Sequence, residues 1–139
     1  MSAGAFRTTL EGGDAFVVIA ELAPGRDGSD PARAARALAA ADELAMHPGI
    51  GALSITDGAG GHASLAPAVI AERYVARAKD VVVNVACRGR SRDDLERIGR
   101  TLAGRGLINV LAISGDYPAA ERSSEASRTR FDMDPRRAE

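Results

Sequence analysis

Four short apolar runs recur along the chain at nearly regular intervals. Each run leads into a residue with a functional side chain, and these residues are Glu21, Thr56, Cys87 and Asp116. Successive positions are therefore 35, 31 and 29 residues apart, which is the length of one strand followed by one helix. Runs that are apolar on both faces are typical of parallel strands covered by helices. The spacing predicts an α/β fold of four consecutive βα units with a parallel sheet, whose strands are 16–20, 52–55, 81–86 and 110–113.

Three helical stretches separate the runs. The first begins at Asp30-Pro31, where an acidic N-cap and a proline in the first turn favour a helix start, and it extends to about Met46. The second takes Ser64 as its N-cap. The third takes Ser91 as its N-cap and ends near the glycines of 104–106, since glycine readily adopts the left-handed conformation that closes a helix.

Length and composition limit the class of protein. The 139 residues suit one domain, for which we expect a polar N-terminal segment over 1–14, an α/β domain over 15–118 and a mobile polar tail over 119–139. The net charge of −1 argues against a general nucleic-acid binder. No run approaches the ~20 apolar residues of a membrane span. With no signal-like N-terminus and Cys87 as the only cysteine, a cytoplasmic protein is expected.

Ligands of parallel α/β folds bind beyond the carboxyl ends of the strands, so acids at those ends are candidates for catalysis. Glu21 follows five apolar residues, and partial burial of its carboxyl would raise the pKa and suit it to proton donation. An N-cap or ion-pair acid is the alternative. Asp116 follows Gly115, which lets the backbone approach a ligand closely; a turn acid is the alternative there. The spacing of His, Cys and Asp predicts no metal site.

Two further motifs have competing interpretations. Residues 58–63 match the dinucleotide fingerprint G-x-G-x-x-[GA], but the acid that should end the next strand is missing, since Asp80 begins that strand. A loop is therefore favoured over a Rossmann site. The arginines at 88, 90 and 92 precede the third helix, an arrangement typical of a phosphate or carboxylate site, with a solvated loop as the alternative.

Four segments together resemble one known family. The first is Ile-Ala-Glu-Leu-Ala-Pro at 19–24, a strand that ends in glutamate before a proline, and the second is Leu-Ser-Ile-Thr-Asp at 53–57. The third is Val-Ala-Cys-Arg-Gly-Arg-Ser-Arg at 85–92. The fourth and most specific is Gly-Leu-Ile-Asn-Val-Leu-Ala-Ile-Ser-Gly-Asp-Tyr-Pro at 106–118. In order and spacing they resemble segments of the 5,10-methylenetetrahydrofolate reductase family, over about residues 15–118.

The resemblance implies a (β/α)₈ barrel that binds FAD at the carboxyl ends of its strands. With hydride from NAD(P)H, such an enzyme reduces 5,10-methylenetetrahydrofolate to 5-methyltetrahydrofolate. The resemblance implies that Glu21 helps to open the imidazolidine ring of the folate and that Asp116 lies near flavin and folate and tunes both. The flavin-contacting positions that it implies are Thr56, Asn84, Ser114, Gly115 and Asp116. Many members have histidine in place of Asn84 and arginine in place of Ser114.

Four βα units are half of an eight-stranded barrel, which needs roughly 200 residues or more. Half a barrel exposes two strand edges and much of its interior. Three outcomes are open: a truncated or split product without activity, a second chain that supplies the other half, or a homo-oligomer of two copies. The function is correspondingly either a flavin-dependent reductase, or a subunit of one, or a non-catalytic binding and assembly module. A doubly wound domain of flavodoxin or receiver type is a further alternative, but it needs an extra strand and a phosphate loop or acidic cluster.

Overall fold

The computed structural model of the protein describes residues 5–13, 15–23, 31–57, 66–77 and 79–115. Helices and strands alternate along this part of the chain. The helices are α1 (Ala5–Gly12), α2 (Pro31–Met46), α3 (Pro67–Val75) and α4 (Arg92–Gly104). The strands are β1 (Ile19–Leu22), β2 (Ala52–Ile55), β3 (Asp80–Ala86) and β4 (Asn109–Ile113). The predicted α/β fold with four parallel strands is confirmed.

The strands form one parallel sheet in the order β1-β2-β3-β4, which is also their order in the chain. The register places Glu21 opposite Ser54, Ser54 opposite Val82, and Val82 opposite Asn109. Because βα crossovers are right-handed, a sheet that always adds its next strand on the same side carries the connecting helices on one face. Doubly wound sheets reverse their strand order instead. The described sheet does not reverse, which excludes the flavodoxin and receiver alternative.

One face of the sheet packs against the helices that connect the strands. Alternate strand residues meet α2, α3 and α4 in a continuous apolar core, in which Leu53, Ile55 and Tyr74 are fully enclosed. Each fully buried aliphatic side chain of this kind stabilises the fold by roughly 1.5–3 kcal/mol. The buried members of this core are Leu22, Ala41, Ala45, Leu53, Ile55, Ile70, Ala71, Tyr74, Val81, Val83, Val85, Leu102 and Leu107.

The opposite face, which we call the inner face, is partly covered by α1. Phe6 is buried against Ala52 and Val82, and its backbone amide donates to Oδ2 of Asp80 at 3.0 Å. Ala52 and Asp80 are the first residues of β2 and β3, so α1 covers the amino end of this face. Helix α1 leaves the carboxyl end of the inner face uncovered, and the candidate site lies there. The sequence predicts only a polar segment over 1–14, so this helix is a finding of the structure.

The element boundaries agree with prediction for α2 and for the start of α4. Ser91 caps α4 as predicted, and its hydroxyl accepts a hydrogen bond from the amide of Asp94. The N-cap of α3 is Ala66, with no side-chain hydrogen bond, rather than the predicted Ser64, which lies outside the described residues. Strand β1 begins at Ile19, three residues later than predicted, and the apolar Phe16 before it is almost fully exposed.

Candidate functional site

The carboxyl ends of neighbouring strands form one continuous edge. Beyond β2, the amide of Thr56 donates to the carbonyl oxygen of Leu22 at 3.0 Å, and its hydroxyl donates to the same oxygen at 3.4 Å. Beyond β3, the amide of Arg88 donates to the carbonyl oxygen of Ser114 at 3.0 Å. Parallel pairing therefore continues past the strands and brings the segments that follow them side by side.

A hydrogen bond between two buried side chains joins adjacent strands on the inner face. The hydroxyl of Ser54 on β2 donates to Oδ1 of Asn84 on β3 at 3.1 Å, and both residues are buried. In the described part of the chain, Nδ2 of Asn84 has no hydrogen-bond acceptor. The resemblance selects Asn84 as a flavin contact, whereas Ser54 enters it only as part of the segment at 53–57. The pairing of the two side chains follows from the register of β2 against β3.

Glu21 lies on the same face, opposite Ser54 in the register and one residue before the end of β1. Its side chain is exposed, so the expectation that this carboxyl is partly desolvated is wrong. The physical reason is that β1 is the first strand of the described sheet, with a neighbour on one side only. Among the described residues, no cation pairs with the Glu21 carboxylate.

The segment after β4 lies directly against the end of β3. Gly115 has φ +85°, and a Cβ added there would lie 3.0 Å from the Cβ of Ala86. Only glycine fits this combination of positive φ and close approach without strain. Ser114 before it is exposed. Asp116, the second predicted catalytic acid, lies outside the described residues, as does the glycine-rich segment 58–63.

Asp57 connects the ends of β2 and β3. Its Oδ2 accepts from the backbone amide of Ala86 at 3.0 Å and from the guanidinium of Arg90, which also donates to the carbonyl oxygen of Ala86 at 2.8 Å. The Asp57 side chain is only 12% exposed and that of Arg90 31%. Arg90 therefore belongs to the scaffold, which differs from both interpretations of this arginine, the anion site and the solvated loop, whereas Arg92 is exposed.

A pocket of about 340 Å³ lies on the helix-covered side of the sheet, between α3 and α4. Val83, Val85, Ile98 and Leu102 provide its apolar lining. It borders Ala66, where the described chain resumes after residue 57. Most of its lining residues face the helices, but Asn84 and Asp57 also contribute to the lining.

Within the described ranges, no group of three or more His, Cys, Asp and Glu side chains is placed to hold a metal ion. None of the described helices combines the length and apolar character needed to cross a membrane. A scan against protein-family models and a search of curated proteins give no match to this chain.

Proposed function

We propose that this chain is the amino-terminal half of a methylenetetrahydrofolate reductase-like barrel, which uses FAD to reduce 5,10-methylenetetrahydrofolate to 5-methyltetrahydrofolate. One observation carries the proposal: four parallel strands follow one another in chain order, with the connecting helices packed on one face. Each half of a (β/α)₈ barrel has this arrangement, and its ligands bind at the carboxyl ends of the strands. The motifs at 19–24 and 106–118 support the same family and assign the site to those ends.

The described residues fit one side of a flavin ring system. Asn84 offers an amide donor to a ring carbonyl or ring nitrogen, and Gly115 keeps the adjacent backbone close to the sheet. Leu111 lies opposite Asn84 in the register and is 48% exposed, so it offers apolar surface beside the amide. Bound FAD supplies the hydride chemistry that these side chains lack. Thr56, Ser114 and Asp116 complete the set of proposed flavin contacts, and NAD(P)H is the proposed reductant.

Glu21 is the proposed general acid. Its carboxyl gives a proton to a nitrogen of the folate imidazolidine ring, the bond between that nitrogen and the bridging carbon breaks, and an iminium forms at the other nitrogen. The iminium carbon then accepts a hydride and becomes the methyl group. The inner-face position of Glu21 lets a substrate reach its exposed carboxyl, and cover by that substrate is proposed to supply the partial burial that suits the carboxyl to proton donation. Asp116 is proposed to tune both the flavin and the folate.

The exposed edges of the sheet favour a second candidate function, that of a non-catalytic assembly module. Ile19 on β1 and Leu111 on β4 both lie on the inner face and are substantially exposed. Unpaired edge strands with apolar side chains are ready to accept further strands. In either case we propose that a second chain or a second copy of this one covers these edges, in the cytoplasm.

Retention of FAD separates the two functions. The purified chain is incubated with FAD and passed over a gel-filtration column, and the visible absorbance of the protein peak is recorded. A retained flavin band is expected, and Asn84→Leu, which keeps a similar volume but removes the amide, should reduce it. A protein peak without flavin would overturn the reductase proposal for this chain on its own and favour the assembly module.

A further inference from the structure

We propose that Ser54 is a positioning residue that fixes the Asn84 amide, so that its Nδ2–H₂ group is presented as an oriented donor to the ligand. This inference rests on the proposed flavin site. It adds that Ser54 determines whether the Asn84 amide presents its N–H donors or its oxygen to the ligand. The ligand chemistry that it selects is an acceptor, either a carbonyl oxygen or an unprotonated ring nitrogen.

The hydrogen bond between Ser54 and Asn84 orients the amide of Asn84. Ser54 and Asn84 lie on the inner faces of paired strands, and the hydroxyl donates to Oδ1 at 3.1 Å. Ser54 is 9% exposed and Asn84 5%, so bulk water cannot freely replace this bond. An asparagine amide has one acceptor oxygen and two N–H donors. With the oxygen engaged by Ser54, the amide presents its donors on the remaining side.

The two N–H donors of Asn84 need an acceptor. In the described part of the chain, Nδ2 of Asn84 has no acceptor, and it is not among the fully enclosed side-chain atoms that lack a partner. Water can therefore reach this donor in the ligand-free chain, and a ligand acceptor that makes the same hydrogen bond takes the place of that water. The neighbouring positions on the same face are apolar: Leu111 lies opposite Asn84, and Ile113 lies opposite Ala86. This combination suits the edge of a flat ring that carries an acceptor.

The hydrogen bond from Ser54 distinguishes the oxygen of the Asn84 amide from its nitrogen, and this distinction is lost with the Ser54 hydroxyl. The amide can then rotate by half a turn and present its oxygen, which repels the same acceptor. Ser54→Ala is therefore expected to weaken FAD binding about fivefold, the effect of one ordinary hydrogen bond. Ser54→Thr keeps the hydroxyl and should bind FAD nearly as well as the unmodified chain.

A double-mutant cycle tests whether Ser54 acts through Asn84. Asn84→Asp keeps an oxygen for the Ser54 hydroxyl but replaces the donor by a carboxylate, so FAD binding should weaken by about tenfold or more. If Ser54 acts through Asn84, adding Ser54→Ala to Asn84→Asp causes no further loss. Additive losses would overturn the inference. Thr9→Ala, which removes a hydroxyl that donates to Ala5 in α1, is the matched control and should leave the Kd for FAD unchanged.

A measurement on the ligand-free chain separates this inference from the proposed function. The Asn84 side-chain amide is assigned in an ¹⁵N–¹H NMR spectrum by its loss in Asn84→Asp, and its ¹⁵N relaxation is recorded. An ordered Nδ2 in the unmodified chain and in Ser54→Thr, but a mobile one in Ser54→Ala, is expected. Equal order in all three variants would overturn the positioning role. Ordering by Ser54 without any FAD binding would instead overturn the flavin site and leave the positioning intact.

Discussion

Arg90, in the loop after β3, donates to the carboxylate of Asp57, which follows β2 and lies 33 residues earlier in the chain. The same Asp57 oxygen accepts from the amide of Ala86, and the same guanidinium nitrogen donates to the Ala86 carbonyl oxygen. Both polar groups of one residue at the end of β3 are therefore held by one ion pair. This pair fixes the start of the loop that leads to α4.

Removal of Asp57 should destabilise the fold. Asp57→Ala leaves the Ala86 amide and the Arg90 guanidinium without their shared acceptor, and hydrogen bonds to a charged group of this kind contribute about 2 kcal/mol. We expect the free energy of unfolding in urea to fall by about that amount. Arg92→Ala, which removes an exposed arginine from the same segment, should change it little. Equal effects of the two substitutions would contradict the structural role of the pair.

The main elements were predictable because local signals and packing agree for them. The run 81–86 is apolar on both faces and lies in β3, which is buried on both faces. Asp30-Pro31 predicts a helix start, and α2 begins at Pro31. Phe16 misled the prediction of β1, because an apolar residue forms a strand only where a neighbouring strand pairs with it. Helix α1 was missed because only Phe6 is buried in its eight residues, too weak a pattern to recognise.

The candidate site was less predictable than the sheet. Glu21 was selected as the acid at the end of a strand and Asn84 by resemblance, and it is the register of β1, β2 and β3 that places both on one face. The exposure of Glu21 could not be predicted, because burial depends on what covers the edge of the sheet. The Asp57–Arg90 pair joins residues far apart in sequence, and only the register of β2 against β3 brings them together. The role of Asp116 remains a prediction, because this residue lies outside the described residues.

The capping box of α4 should make stability depend on pH in the acid range. Hydrogen bonds from Arg97 and from Ser91 lower the pKa of Asp94 to about 2. Because an unfolded aspartate has a pKa of about 3.9, the carboxylate stabilises the folded state above about pH 4. This contribution is lost as the pH falls towards 2.

Asp94→Asn tests that dependence. The difference in free energy of unfolding between this variant and the unmodified chain should be constant from pH 7 to about pH 4 and shrink between pH 4 and 2. Urea denaturation at a series of pH values measures it. Asp93→Asn removes a charge from the same first turn but leaves the bonds between Ser91 and Asp94 intact, so it serves as the control. A difference that does not change below pH 4 would contradict the role of Asp94.

Two glycines should respond in opposite directions to the same substitution. Gly115 combines φ +85° with a close approach to Ala86, so Gly115→Ala should destabilise the chain by about 1–2 kcal/mol. Gly99 lies inside α4 with open space around it, so Gly99→Ala should stabilise the chain by about 0.5–1 kcal/mol. Thermal unfolding of both variants checks the sign. A stabilising Gly115→Ala would contradict the described path of the chain after β4.

Glu21→Gln should separate the two half-reactions of the proposed enzyme. The amide keeps the size and polarity of the side chain but cannot donate a carboxyl proton, so reduction of methylenetetrahydrofolate should fall by at least about a hundredfold. Reduction of bound flavin by NADH should be unchanged. Stopped-flow absorbance of the flavin measures each half-reaction separately. Equal loss of both would show that Glu21 does not act as the acid.

The outer strands should make the chain self-associate. Val110 on β4 is 47% exposed, and Ile108 just before that strand is 64% exposed, so apolar surface lies beside a strand edge that no other described strand pairs with. Sedimentation velocity at increasing protein concentration should show association. Ile108→Lys combined with Val110→Lys should favour the monomer, since lysine on an edge strand opposes pairing with another chain. Val69→Lys removes a valine that is 60% exposed on α3, a helix that packs against the inner strands β2 and β3, and it should associate like the unmodified chain. A chain that stays monomeric at all concentrations would contradict this prediction.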